Sequence, residues 1–266
     1  MKTILLSASF TLLCLNGLLS QNFHTKQASL PDLDKKFTVV AHIARDTFGE
    51  VNITEEEILN SLDSANRFFK PIGVSFEICE FRIIDNFQYD APANPAEWQE
   101  MKIKYHKSNR VNMFFVALVN FRPRECGFSD IGAVANPDGG GIMVVKSCVD
   151  STGKAIAHEL GHFMGLFDAA QNPEEELVDG SNCETAGDQI CDTPADPFKV
   201  DFILTDYMDL ISCRFIYQGL DANGQFFVPD VGNLMSDYPN RCRCGFSWEQ
   251  LNHMAETYIQ APRKIW

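Results

Sequence analysis

The stretch HELGHFMGLFD, His158–Asp168, governs how the rest of the chain is read. His158 and His162 are four residues apart, so on an α-helix they share one face, with Cβ atoms about 6 Å apart. Two imidazole nitrogens so placed can meet one zinc ion at about 2.0–2.1 Å each. Glu159 can then stand beside the ion without binding it. From there a carboxylate can take a proton from water and pass it to a leaving amine. Gly165 can adopt a positive φ, end the helix and swing the chain back. Asp168, six residues after His162, then becomes a third ligand and leaves the fourth position open, as catalytic zinc requires. Compared with a third histidine, an aspartate adds negative charge and makes the metal's water less acidic.

Upstream of this stretch the pattern alternates between strand and helix. FTVVAHIA, from Phe37, reads as a buried strand. A helix follows, with Thr54 and Glu57 at capping-box spacing, Ile58, Leu62, Ala65 and Phe69 on one face, and Pro71 to Gly73 as its stop. VSFEICEFRII alternates at Val74, Phe76 and Ile78, as a half-buried strand does. A short helix is expected from about Ala96 to His106, then a strand covered on both faces in VNMFFVAL, Val111 to Leu118. IGAVANP and GGIMVVKS read as two more strands around the glycines at 139–141, and the motif helix runs from about Thr152 to Met164. The order implies an α/β fold with a mixed, twisted sheet. Beyond Asp168, roughly sixty residues rich in Asp, Asn, Gly, Pro and Cys show little periodicity, and a loop of that length needs staples or bound ions. A last helix spans about Trp248 to Ile259, with Ser247 and Gln250 at capping-box spacing.

Composition narrows the function classes. The 266 residues carry a formal charge of −14, which argues against nucleic acid or an anionic membrane as the main partner and hints at basic substrates. Lys2, the apolar run from Ile4 to Leu19 and the small Ser20 have the build of a signal peptide. The expected organisation is a signal peptide over 1–20, a short polar segment over 21–36 and one metalloprotease domain over 37–266, secreted to the extracellular space or periplasm. No other stretch approaches a membrane span. Without the leader eight cysteines remain, an even number that favours disulfides in an exported chain. His42 is expected to be a hydrogen-bonded core residue, and the acidic run Glu174 to Glu176 a solvated loop.

The motif H-E-x-x-H-x-x-G-x-x-[HD] resembles the metzincin zinc endopeptidases, which also carry a methionine turn below the metal. Met235, in NLMSDYPNRC, stands in that position, and GDQICDTPADP, Gly187 to Pro197, is similar to the G-D-x-x-x-D-T-P signature of the pappalysins. The resemblance runs from about Phe37 to the end of the chain. It implies zinc ligands His158, His162 and Asp168, the general base Glu159 and a hydrophobic floor from Met235. It also implies calcium candidates Asp188, Asp192 and Thr193, disulfides Cys183–Cys213 and Cys191–Cys242, and a substrate-binding edge strand at Gly132, Ala133, Val134 and Ala135. Pappalysins usually have histidine where this chain has Asp168, whereas the snapalysins use aspartate there. Metzincins usually place tyrosine two residues after the turn methionine. Here that residue is Asp237, with Tyr238 one further on. The function implied is endopeptidase action on extended protein or peptide substrates. The alternative is an extracellular recognition module of the same fold that holds zinc and calcium without catalysis.

Overall fold

The computed structural model describes residues 29–136, 140–170, 175–199 and 203–262. The expected signal peptide, Gly139 of the glycine turn and Glu174 lie outside the described residues.

Strands β1 (Lys35–Ala44), β2 (Val74–Ile84), β3 (Val111–Val116), β4 (Gly127–Ser129) and β5 (Ile142–Val145) form one sheet in the order β2-β1-β3-β5-β4. The first four in that order run parallel, and β4 closes the edge antiparallel to β5. Helix α1 (Glu55–Phe69) is the crossover between β1 and β2, and α2 (Pro95–Tyr105) that between β2 and β3. Helix α3 (Lys154–Phe163) follows β5, and α4 (Trp248–Gln260) ends the described chain.

Local chemistry explains where these elements begin. Thr54 accepts from the Glu57 amide while Glu57 answers the Thr54 amide, and Ser247 and Gln250 repeat the arrangement at α4. Asn94 caps α2 ahead of Pro95, whose missing amide proton costs nothing at a first helical position. The period of two in the strands sorts side chains into two cores. Phe37, Val39, Ala41, Ile43, Met113, Phe115, Ile142 and Val144 share a cluster with residues of α1, α3 and α4. Phe114, Val116, Met143 and Val145 instead meet Trp98 and Met101 of α2. All six residues of β3 are buried, as expected of a strand covered on both faces. His42 is also in the core as expected, its Nε2 3.0 Å from Asn112 Oδ1.

Three expectations are corrected. Ala133 to Ala135 form a short 3₁₀ turn, so Gly132, Ala133, Val134 and Ala135 are no edge strand. Gly132 takes φ +68° and gives its amide proton to His162 O, which turns the chain out of the sheet and onto the end of α3. The edge strand is β4 instead, five residues earlier in the chain. The disulfides are Cys183–Cys191 and Cys213–Cys242, not Cys183–Cys213 and Cys191–Cys242. A run of tight turns through 177–190 brings Cys183 back to Cys191, leaving Cys213, beside the two-residue strand Arg214–Phe215, to reach Cys242. A further bond, Cys126–Cys148, joins the residue before β4 to the segment after β5, neighbours because those strands are antiparallel. Finally, Glu176 is buried rather than solvated: a Cβ placed on Gly187 would come within 2.0 Å of its carboxylate.

Candidate metal centre and cleft

Helix α3 supplies three of the site's side chains. It is buried at Ala155, Ile156, Ala157, Leu160 and Phe163, which fixes its rotation and turns His158 and His162 toward the cleft. Gly165, at φ +108°, then reverses the chain, with its amide on His162 O and that of Leu166 on Gly161 O. The reversal brings Asp168 Oδ1 to 3.3 Å from His158 Nε2 and 3.2 Å from His162 Nε2. Among the described residues, His158, His162 and Asp168 are the one group of His, Cys, Asp or Glu whose donor atoms lie close enough together to hold a metal ion.

The hydrogen bonds around the two rings say which species they are. His158 Nδ1 is 2.8 Å from Leu234 O, and His162 Nδ1 is 2.8 Å from Leu166 O. A carbonyl can only accept, so each Nδ1 carries a proton and Nε2 is the ring nitrogen left to bind a metal. The two Nε2 atoms are 3.1 Å apart. Lone pairs facing one another beside a carboxylate repel, and a cation between them removes the repulsion. Two imidazoles and one carboxylate, with room on the cleft side for a fourth ligand, fit zinc.

Glu159 is buried at 2% exposure, next to this group but not in it. Ser129 of β4 gives its hydroxyl proton to Glu159 Oε2 over 2.7 Å. Gly127, two residues earlier on the same strand, makes room for the carboxylate: a Cβ there would lie 2.6 Å from Glu159 Cδ. Burial pushes the Glu159 carboxyl up, while His158, His162 and the Ser129 hydroxyl pull it down. Met235 is wholly buried beneath the helix, against Gly161, where a Cβ would come within 2.6 Å of its sulfur.

The cleft above the metal ligands has a volume of about 870 Å³ and is lined by β4, α3 and the segment after Met235. Asp237 lines it, its carboxyl raised to about 7 by burial and by nearby Asp168. Tyr238 gives its hydroxyl proton to Asp196 over 2.9 Å and is 1% exposed, so that hydroxyl is committed elsewhere. The calcium candidates are tied to one another and to the start of α4, where Gln250 donates to Asp188. Thr193 gives its hydroxyl proton to Asp188, whereas Asp192 accepts from Ser247 and the Glu249 amide at the start of α4. Sequence reasoning missed Ser129, Gly127 and Arg243, the last a buried cleft residue. No local pattern marks them, because each is defined by what lies opposite it in the fold.

Comparison with known proteins agrees with this geometry. A family model described as metallo-peptidase family M12 matches residues 36–198. An extracellular metalloprotease of Arthroderma otae is 25% identical over 242 residues, covering 83% of this chain and 78% of that protein. One of Arthroderma gypseum is 25% identical over 246 residues, covering 87% and 75%. The solved structure of mirolysin in complex with compound 9 superposes with a TM-score of 0.56 at 14% identity, over 86% of this chain and 91% of that one. The fold is that of a metzincin-type zincin.

Proposed function

The chain belongs to metallo-peptidase family M12, and from that premise we propose that it is an exported zinc endopeptidase with Glu159 as general base and acid. The observation that carries the proposal is the meeting of His158, His162 and Asp168 at one point, with a buried, hydrogen-bonded carboxylate beside it and a cleft above. His158, His162 and Asp168 would hold zinc, which when bound supplies Lewis acidity toward water and the scissile carbonyl. Leu234 and Leu166 hold the imidazoles in the ligating tautomer. Ser129 fixes the rotamer of Glu159, which takes a proton from the attacking water and returns it to the leaving amine. β4 is an edge strand lining the cleft, so an extended peptide can add to it through main-chain hydrogen bonds.

The finer reading is a pappalysin-like enzyme over residues 37–266, behind a cleaved signal peptide over 1–20. The Gly187 to Pro197 signature, the three disulfides among the described residues and two relatives named extracellular metalloproteases support it. The test is to incubate zinc-loaded protein with a diverse peptide mixture and identify products by mass spectrometry, with Glu159→Ala alongside. Cleavage by the wild type alone, at equal zinc content, is the expected result. Silence from both would favour the recognition module, a reading that the commitment of the Tyr238 hydroxyl to Asp196 makes worth testing.

A further inference from the structure

Arg243 is the buried cation of the cleft, and no carboxylate among the described residues is hydrogen-bonded to it. It is 9% exposed and lines the cleft beside His158. Its Nη1 lies 3.4 Å from His158 Nδ1. That nitrogen already gives its proton to Leu234 O, so it has no lone pair to offer. Arg243 Nε is buried with no hydrogen-bond partner. Asp237, Asp168 and Glu159 act on the guanidinium only through space, and none of them forms an ion pair with it. A buried guanidinium whose N–H donors lack acceptors is unfavourable, and an incoming carboxylate relieves that cost. Its planar fork of N–H donors matches the two oxygens of a carboxylate.

The cleft is lined by the cations Arg122, Arg124, Lys199 and Arg243 and by the carboxylates Glu125, Glu159, Asp168 and Asp237. Arg122 is paired with Glu125 at 3.0 Å. Of these cations Arg243 is the buried one, where low-dielectric surroundings strengthen its attraction for an anion.

We infer that Arg243 is a specificity determinant that receives a peptide carboxylate beside the scissile bond, so that the protein selects acidic substrates. The inference rests on the peptidase reading. The carboxylate can come from an Asp or Glu side chain or from a chain terminus, which have the same chemistry. Across the ring from Arg243, His158 Nε2 faces the other metal ligands, so a carboxylate on the guanidinium lies close to the reacting centre.

The test uses peptides found to be cleaved, remade as Glu/Gln and Asp/Asn pairs on each side of the cut bond, each with a free and an amidated C-terminus. The wild type is expected to favour the acidic member tenfold or more in kcat/KM. Arg243→Gln should bring that ratio close to one, and Arg243→Lys, which keeps the charge without the fork, should fall between. Loss of preference on amidation assigns the carboxylate to the chain terminus, and loss on Glu to Gln assigns it to a side chain. A wild-type ratio near one in every arm, or a ratio unchanged by Arg243→Gln, overturns the inference. So does a fall in thermal midpoint of more than about 5 °C in Arg243→Gln, which would make the residue structural. Zinc-loaded Glu159→Ala protein, titrated with the same labelled peptides by fluorescence polarisation, reads recognition without turnover. Acidic preference in binding without wild-type cleavage would sink the peptidase reading alone. Cleavage with equal binding of both peptides would sink the role of Arg243 alone.

Discussion

Replacing Gly127 by alanine puts one methyl group between the sheet and the base. In the wild-type backbone that Cβ would sit 2.4 Å from Met143 O and 2.6 Å from both Cδ and Oε1 of Glu159. Real Cβ contacts do not fall below 3.0 Å, so the strand must shift to open roughly 0.6 Å at the carbonyl and the carboxylate must yield by roughly 0.4 Å at the least. The carbonyl belongs to β5 at the centre of the β4–β5 ladder, where movement strains sheet hydrogen bonds. Displacement of the carboxylate also lengthens the 2.7 Å bond from Ser129. A misplacement approaching 1 Å in a catalytic group costs on the order of 100-fold, and overpacking of this kind destabilises by about 1–3 kcal/mol. Gly127→Ala should therefore lower kcat/KM by one to two orders of magnitude and move the urea midpoint modestly. It should leave zinc stoichiometry unchanged, because no metal ligand is among the atoms the methyl group would strike. Peptide hydrolysis, urea unfolding and metal analysis on one preparation make the check. Activity within threefold of wild type would mean that the base does not work from its place behind β4.

Three further outcomes are expected. Ser129→Ala removes the donor that holds Glu159 Oε2 and should cut kcat about tenfold with KM little changed, so a purely KM effect would argue against it. Lys146 is buried and gives protons to Asp90 and to Ala44 O, each at 2.6 Å, so Lys146→Met leaves a buried carboxylate unpaired. That should cost about 3–5 kcal/mol in equilibrium unfolding, and a loss under 1 kcal/mol would show the pair to be dispensable. Burial pushes Glu176 up to about 8, Asp188 to about 7 and Asp196 to about 6. Unfolded, these groups ionise near pH 4, so the stability they allow is present below about pH 4 and lost as pH rises through 6 to 8. Urea midpoints for metal-free protein should therefore be higher at pH 5 than at pH 8, and a flat profile would contradict the burial of this cluster.

Much of this molecule follows from short-range chemistry that the chain carries locally. The four-residue spacing of His158 and His162, the glycine stop at Gly165, both capping boxes and the fully apolar run of β3 depend only on helix or strand geometry, and the fold agrees with each. The meeting of His158, His162 and Asp168 belongs here too, since one helix and one reversal bring them together. Features that depend on distant segments were illegible. Gly132 to Ala135 and β4 are both short and partly apolar, and the antiparallel seat beside β5 went to Gly127–Ser129 because Gly132 turns the chain onto α3. The disulfide partners of Cys183 and Cys213 were decided by which loops fold back on themselves. The partners of Glu159 and the surroundings of Arg243 are properties of atoms thirty or more residues apart in the chain or buried against several elements at once. Spacing within one helix is set by backbone geometry, whereas contacts across the sheet and cleft are set by packing, which has no period to read.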